Sequence, residues 1–258
     1  MGTDSLVSYV GSSSVRSDVV DSLHEQPRPT DALLSTLNAS ESAVYDALSN
    51  LESRGLVTET PDGWRLTGSG RLVGDTLERQ RATDRLLATN PCYWERHDTS
   101  VLPQAFRCRL PQLGAYEVIE RAEHDLRGLV PWVVSKVDAV ESCEIISPMY
   151  HREYQEVMPD NADSRLLVGQ HVVDDVLLEM DEGPFPRTYD ETPVRVSSVP
   201  FALGVSEEWV ILTLPDHDGH WPDAKVFSTA DSAVQWGRAL FDAVWKDGTP
   251  LPAYLSDE

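Results

Sequence analysis

Hydrogen-bonding side chains recur on one side of a short amphipathic segment near the N-terminus. Val44, Leu48 and Leu51 mark the apolar side of this segment at the spacing of a helix. Polar side chains occupy the other side: Ser40, Glu41, Ser42, Tyr45, Asp46 and Ser49. Slim side chains that donate and accept hydrogen bonds fit the DNA major groove and can distinguish base edges there. We therefore predict that this polar face contacts double-stranded DNA.

Two further residues are predicted to flank this contact. Thr30 precedes a short apolar segment, whose helix it is expected to cap. Arg65 follows a predicted turn at Thr60-Pro61-Asp62-Gly63, from which it could contact a phosphate or the minor groove. Both residues are included in the predicted DNA-binding set.

The elements that must position these residues follow the order of a winged helix-turn-helix. The sequence predicts, in order, a short helix over 31–37, a three-residue turn at 38–40, a helix that follows this turn and ends at Arg54-Gly55, and a hairpin. Thr67 is predicted to cap the next helix. We assign residues 1–75 to a winged helix-turn-helix DNA-binding domain. Two alternatives remain open: a small helical domain with a solvated face, and a winged helix that binds proteins.

Strand-like and helix-like runs alternate beyond residue 111. This alternation predicts a C-terminal α/β sandwich with a mostly parallel sheet over 112–258, and therefore an α+β protein overall. Residues 76–111 are assigned to a connecting helix and linker. Apolar spacing from Gln112 to Val140 predicts a helix that is interrupted at Pro131.

The loop after the first predicted strand of this domain is a candidate effector pocket. Small ligands bind beyond the carboxyl ends of parallel strands. This rule selects Ser147, Tyr150 and His151, with Phe201 as an apolar wall. The alternative is that Pro148 and Tyr150 only shape a turn over the core.

Other groups of potentially reactive residues give no enzyme site. Asp216, His217, Asp218, His220 and Asp223 are five possible metal ligands in one loop, but a polar turn between strands explains them. We therefore predict no metal and no cofactor. The histidines are scattered and no G-x-S-x-G motif occurs, so we predict neither catalytic residues nor an enzyme.

The composition is strongly acidic and poor in lysine. The 258 residues include 43 acidic and 21 basic side chains, a net charge of −22, and only Lys136, Lys225 and Lys246 are lysines. Such a surface is tolerable where molar salt screens self-repulsion, which suggests a halophile. The sequence has no apolar run of membrane-spanning length, and its first ten residues lack the pattern of a secretory signal. We expect a cytoplasmic protein without a membrane partner.

Longer segments resemble a known class of regulators. Residues 40–73, SESAVYDALSNLESRGLVTETPDGWRLTGSGRLV, resemble archaeal winged-helix transcriptional regulators of the MarR-like and ArsR-like kind. EIISPMYHREY (144–154), VPFALGVSEEWVIL (199–212) and STADSAVQWGRALFDAVW (228–245) resemble the effector domain of the methanogenesis-regulatory-protein type. The low lysine content is similar to that of the halophile TbsP-like regulators.

These observations lead to one functional hypothesis. We expect a sequence-specific DNA-binding transcriptional regulator of a halophilic archaeon, whose C-terminal domain senses an effector or forms a homodimer. The dimer seam is expected within residues 71–90 or 112–139, and the effector is a small molecule or a regulator protein. The alternatives are an adaptor that binds another regulator through the winged helix, and an enzyme with its site in the α/β domain.

Overall fold

The chain divides into two compact units, Met1–Arg85 and Leu86–Glu258. A computed structural model describes residues 5–121, 128–149, 151–174, 176, 191–221 and 224–256. The boundaries predicted for the functional domains, 1–75, 76–111 and 112–258, stay predictions. One helix, Gly68–Thr89, runs across the first of them. It ends at Thr89, and Pro91 begins the next helix.

Helices precede and follow a hairpin in the first unit. The elements are α1 Leu6–Gly11, α2 Ser14–Ser22, α3 Thr30–Thr36, α4 Glu41–Ser53, β1 Val57–Thr60, β2 Gly63–Leu66 and α5 Gly68–Thr89. Val20, Leu33, Leu48 and Leu56 belong to one buried cluster that joins these elements. The Thr67 hydroxyl accepts a hydrogen bond from the Gly70 backbone N–H, so the predicted cap of α5 is confirmed. This order and packing form a winged helix-turn-helix.

The second unit is built on one eight-stranded sheet. Its strands are β3 Tyr116–Glu120, β4 Glu144–Ser147, β5 Arg165–Val168, β6 Val194–Val196, β7 Ala202–Val205, β8 Val210–Thr213, β9 Ala224–Ser228 and β10 Thr249–Pro250. The α-helices with defined bounds in this unit are α6 Pro91–Arg96, α7 Gln104–Arg107, α8 Val130–Val137, α9 Arg152–Val157, α10 Asp231–Trp245 and α11 Leu251–Tyr254. The short 3-10 helices Thr99–Val101 and Leu110–Leu113 precede β3.

Apolar side chains cover both faces of this sheet. Ile146, Leu203 and Leu212 belong to a cluster that contains Trp236 and Phe241 of α10. Successive residues along the strands point the other way, and they form a second cluster, which contains Trp209, Ile211 and Val137 of α8. The predicted α/β sandwich within an α+β protein is therefore confirmed.

The strand directions correct one part of the prediction. The strand order is β10-β6-β5-β4-β7-β8-β9-β3, and within it β4 pairs in parallel with β5 and β5 with β6. The other five pairs are antiparallel. The prediction of a mostly parallel sheet was wrong, because the short connections between β7 and β8 and between β8 and β9 allow hairpin pairing.

The segment that precedes β4 also differs from the prediction. Tyr116–Glu120 is the edge strand β3, paired antiparallel with β9, whereas the sequence predicts a helix there. The Tyr116 hydroxyl donates to the Leu86 carbonyl at 2.7 Å and accepts from Trp94 Nε1 at 2.8 Å. These hydrogen bonds and the pairing with β9 stabilise a strand here, although the apolar spacing of this segment also fits a helix.

Candidate nucleic-acid interface and effector cavity

Helix α4 is held to the first unit along one side. The Ser40 hydroxyl caps it by accepting a hydrogen bond from the Ala43 backbone N–H at 3.3 Å. Val44, Leu48 and Leu51 are buried, with exposures of 0%, 1% and 0%. The apolar side predicted from the sequence is thus the side that packs.

The opposite side of α4 is open to solvent. Tyr45 is 49% exposed. The other predicted contact residues of this face are exposed as well: Ser40, Glu41, Ser42, Asp46 and Ser49. Ser40 differs from the rest because its oxygen already serves the cap and lies 3.2 Å from the Ser42 hydroxyl. Two hydroxyl groups, a phenol and two carboxylates remain available to a ligand of this face.

The hairpin is fixed to the segment that leads into α3. Arg28 and Trp64 exchange two backbone hydrogen bonds, of 2.9 and 2.8 Å. Trp64 Nε1 donates to Thr30 Oγ1 at 3.1 Å. Pro29 occupies the cap position of α3, so the prediction that Thr30 caps this helix was wrong. Its hydroxyl instead ties the hairpin to the helix-turn-helix.

Exposed arginines occur in the first unit at the end of α4 and on the hairpin. Arg65 is exposed on β2, opposite Thr58. Arg54 follows the last turn of α4, and its guanidinium carbon lies 3.7 Å from the centroid of the Tyr9 ring. Arg16 lies at 4.0 Å from the same centroid. Sequence reasoning missed this Arg16–Tyr9–Arg54 group, because its members come from three separate elements.

The predicted effector residues do not form one pocket. Ser147 is half-buried and lines a cavity of about 60 Å³ between the sheet and α8. His151 is half-buried at the start of α9, and its ring centroid lies 4.8 Å from that of Tyr154, which lines the cavity. Phe201 is 1% exposed within the cluster on the α10 side, so it is a core residue and not the predicted wall. Tyr150 lies outside the described residues.

The loop that contains the possible metal ligands is organised as a turn. Asp216 Oδ1 accepts hydrogen bonds from the backbone N–H groups of Asp218 and His220, at 2.9 and 2.8 Å. The hydrogen bond from the His220 backbone is the main cause of the lowered pKa of Asp216. Ligand atoms of Asp216, Asp218 and His220 lie within 4.8 Å of one another, but the turn alone accounts for their proximity.

Family models match both units. Residues 4–85 match the model described as the HVO_A0261 N-terminal domain. Residues 127–247 match the model described as "Methanogenesis regulatory protein FilR1, middle domain". The chain is also similar to the methanogenesis regulatory protein FilR1 of Methanothrix harundinacea (strain 6Ac), with 22% identity over 252 residues. This match covers 92% of the chain and 56% of FilR1, so the chain spans little more than half of that relative.

Solved structures give weaker similarities. TrmBL2, an archaeal chromatin protein with a novel mode of DNA binding, has 11% identity and a TM-score of 0.38. The similarity covers 97% of this chain and 100% of that chain. A protein described as an IclR-family transcriptional regulator from Rhodococcus sp. has 12% identity and a TM-score of 0.22, with 96% of each chain covered. A protein described as an O-methyltransferase from Nostoc punctiforme PCC 73102 has 13% identity and a TM-score of 0.26, with 74% and 61% covered.

The matches to the two family models and to FilR1 confirm the resemblance that was predicted from the sequence. The chain resembles archaeal regulators of the FilR1 kind, and each of its two units matches its own family model. Among the described residues, no helix is both long enough and apolar enough to span a lipid bilayer.

Proposed function

We propose that this protein regulates transcription by binding double-stranded DNA at specific sequences. Helix α4 enters the major groove and the β1–β2 hairpin contacts the flanking backbone. The observation that carries this proposal is the division of α4 into a buried apolar side and an exposed side of hydrogen-bonding groups. The regulatory role named for the FilR1 relative supports it.

The charge of the interface shapes how this binding works. Glu41 and Asp46 are exposed among the groups that would meet the bases. Arg54 is exposed at the end of α4 and Arg65 on β2. Counterion release contributes little to binding at molar salt. Specificity then rests on hydrogen bonds, shape and a few local arginine–phosphate contacts. This balance suits the cytoplasm of a halophilic archaeon, which we propose as the source.

The second unit supplies regulation in this proposal. Residues 1–75 bind DNA, 76–111 connect, and 112–258 sense an effector or form a homodimer, with a seam within 71–90 or 112–139. A homodimer places two copies of α4 on two half-sites, which multiplies the discrimination between sequences. Ser147 and His151 belong to the region that meets the effector, and Tyr150 stays in the predicted set.

Footprinting of genomic fragments in about 2 M potassium chloride, where charges are screened within a few ångströms, tests the proposal. A protected and roughly symmetric operator is the expected result. The acidic side chains on α4 favour one alternative, an adaptor that binds a basic surface of another regulator through this helix. The absence of protection at every promoter, together with capture of another regulator, would support the adaptor and overturn the proposal.

A further inference from the structure

The cavity between α8 and the sheet has apolar walls and a small-residue floor. Trp209, Ile211 and Val133 line it, and all three belong to or pack against the cluster on this face. Ala202 and Gly204 of β7 lie beneath them. A Cβ added at Gly204 would lie 3.2 Å from Cζ3 of Trp209, so the glycine lets the indole lie close to the strand. The hollow exists because β7 carries little side-chain volume here.

One end of this cavity is polar and carries a cation. Lys225 Nζ donates to Thr213 Oγ1 at 3.3 Å, and Thr213 lies opposite Ala202 in the sheet. The Thr213 oxygen accepts this bond, so its hydroxyl hydrogen remains a donor. Ser147 donates to the Met149 carbonyl at 2.7 Å and therefore offers only an acceptor. Donors thus concentrate at the Thr213–Lys225 end.

The charge of the lining selects the kind of ligand. Lys225 is the one charged residue among the described residues that line the cavity, and it is one of three lysines in a chain of net charge −22. A half-buried ammonium group with an adjacent hydroxyl donor binds an anion, and the apolar walls contact an uncharged body. The cavity is small, about 60 Å³, and therefore suits a ligand of only a few non-hydrogen atoms.

We propose that this cavity binds a small aliphatic carboxylate, with the carboxylate on Lys225 and Thr213 and the alkyl group against Val133, Trp209 and Ile211. The inference rests on the proposed effector-sensing role of the second unit and names its ligand class. It places the carboxylate on β8 and β9, whereas the loop at 147–151 follows β4. The predicted residue Ser147 lines the same cavity, and Tyr154 connects it to His151.

Saturation-transfer NMR with propionate tests this site on the full chain in the absence of DNA. Propionamide, which has the same number of non-hydrogen atoms and no charge, is the matched ligand. Titration to about 10 mM is needed, because ligands of this size bind weakly. We expect propionate to bind and propionamide to bind at least about tenfold more weakly, since the amide lacks the charge that a charge-assisted hydrogen bond requires.

Two substitutions locate the binding. Lys225→Met is expected to weaken propionate binding at least about tenfold, because it removes the cation and keeps the apolar stem. Lys246→Met is the control, since Lys246 is exposed just after α10 and away from the cavity lining. Ala202→Leu fills the floor and is expected to abolish binding; it provides a second test if Lys225→Met does not fold. Circular dichroism reports the fold of each variant.

Several results would overturn this site. They are the absence of a propionate signal, equal binding of propionamide, or unchanged binding by a folded Lys225→Met or Ala202→Leu variant. Because no DNA is present, these results are independent of the footprinting experiment. A protein that protects an operator but does not bind propionate would refute the ligand class and leave the DNA-binding proposal standing.

Discussion

Tyr45 is the side chain that best tests the proposed recognition of DNA. It is 49% exposed on a helix whose other large apolar residues are buried. A phenol combines a flat apolar ring with a hydroxyl that donates and accepts, so it can contact a thymine methyl group or a base edge. Ser49 lies one turn further along the same face. The exposure of this side chain has little effect on stability, and the proposed contact with DNA explains why a large aromatic residue is exposed here.

Replacement of both residues by alanine is the direct test of this face. The Tyr45→Ala/Ser49→Ala variant should lose operator affinity by about 30-fold or more, since it removes two base contacts and each good one contributes about 1–3 kcal/mol. Its thermal midpoint should stay nearly unchanged because both side chains are exposed. Ser256→Ala, an exposed change near the C-terminus and outside both the DNA-binding set and the proposed dimer seam, is the control. Footprint titration measures the effect, and identical curves for the variant and the wild type would refute the assigned face.

The three cysteines differ sharply in their surroundings. Cys92 and Cys108 are exposed, whereas Cys143 is buried. Burial, with a smaller contribution from the neighbouring Glu144, raises the pKa of the Cys143 thiol to about 12. We expect a disulfide reagent such as DTNB to titrate two thiols in the native protein and all three after denaturation. Cys143→Ser should leave the native count at two; rapid release of three equivalents from native protein would contradict this assignment.

At the scale of elements, the hairpin behaves as part of the helix-turn-helix rather than as a free arm. Close to its turn, Trp64 joins the hairpin to Arg28 by backbone hydrogen bonds and to Thr30 by the indole N–H. Gly63, at the tip, has φ of 110° and lies against the Arg28 backbone. A wing held in this way loses little conformational entropy when it meets a DNA backbone.

Gly63→Ala should disrupt this attachment. An added Cβ would lie 2.4 Å from the Arg28 carbonyl oxygen, at a φ that side chains rarely adopt. We expect the free energy of unfolding to fall by about 1–3 kcal/mol, as measured by urea denaturation in molar potassium chloride. Gly68→Ala is the matched control, since nothing lies within 4 Å of its added Cβ. Equal stability of the two variants would show that the contact with Arg28 contributes nothing.

Local elements could be predicted from the sequence better than the contacts between distant strands. The cap at Ser40, the buried side of α4 and the turn before Gly63 all depend on residues within a few positions of one another. Tyr116–Glu120 could not be assigned in this way, because its partner in the sheet, β9, begins at Ala224. The Thr213–Lys225 end of the cavity depends in the same way on the register of β7, β8 and β9. A sequence pattern specifies a face but not which strand lies beside it.

For the whole molecule, charge is the dominant property. A net charge of −22 on 258 residues means that acidic side chains repel one another over most of the surface. The screening length is about 10 Å at 0.1 M salt and about 3 Å at 1 M. High ionic strength therefore removes a repulsion that opposes folding.

The thermal midpoint should accordingly rise as potassium chloride increases from about 0.1 M to about 2 M, a range over which screening shortens several-fold. Scanning calorimetry at several salt concentrations measures this dependence. Sucrose, which strengthens apolar burial without adding ions, separates the two effects, and it should give the smaller increase. A midpoint that is flat or falls with salt would contradict the assignment to a halophile.

The mixed sheet also sets an order of assembly. Between β7 and β9 the chain returns on itself twice through short connections, and such neighbours find one another quickly because little entropy is lost in closing each loop. The parallel pairs β4–β5 and β5–β6 are expected to form later, because each requires a longer connection. Seventeen residues separate Ser147 from Arg165, and 25 separate Val168 from Val194. The folding nucleus is therefore expected in 202–228. The strands that form the floor and the charged end of the cavity would then be among the first parts of this unit to become native.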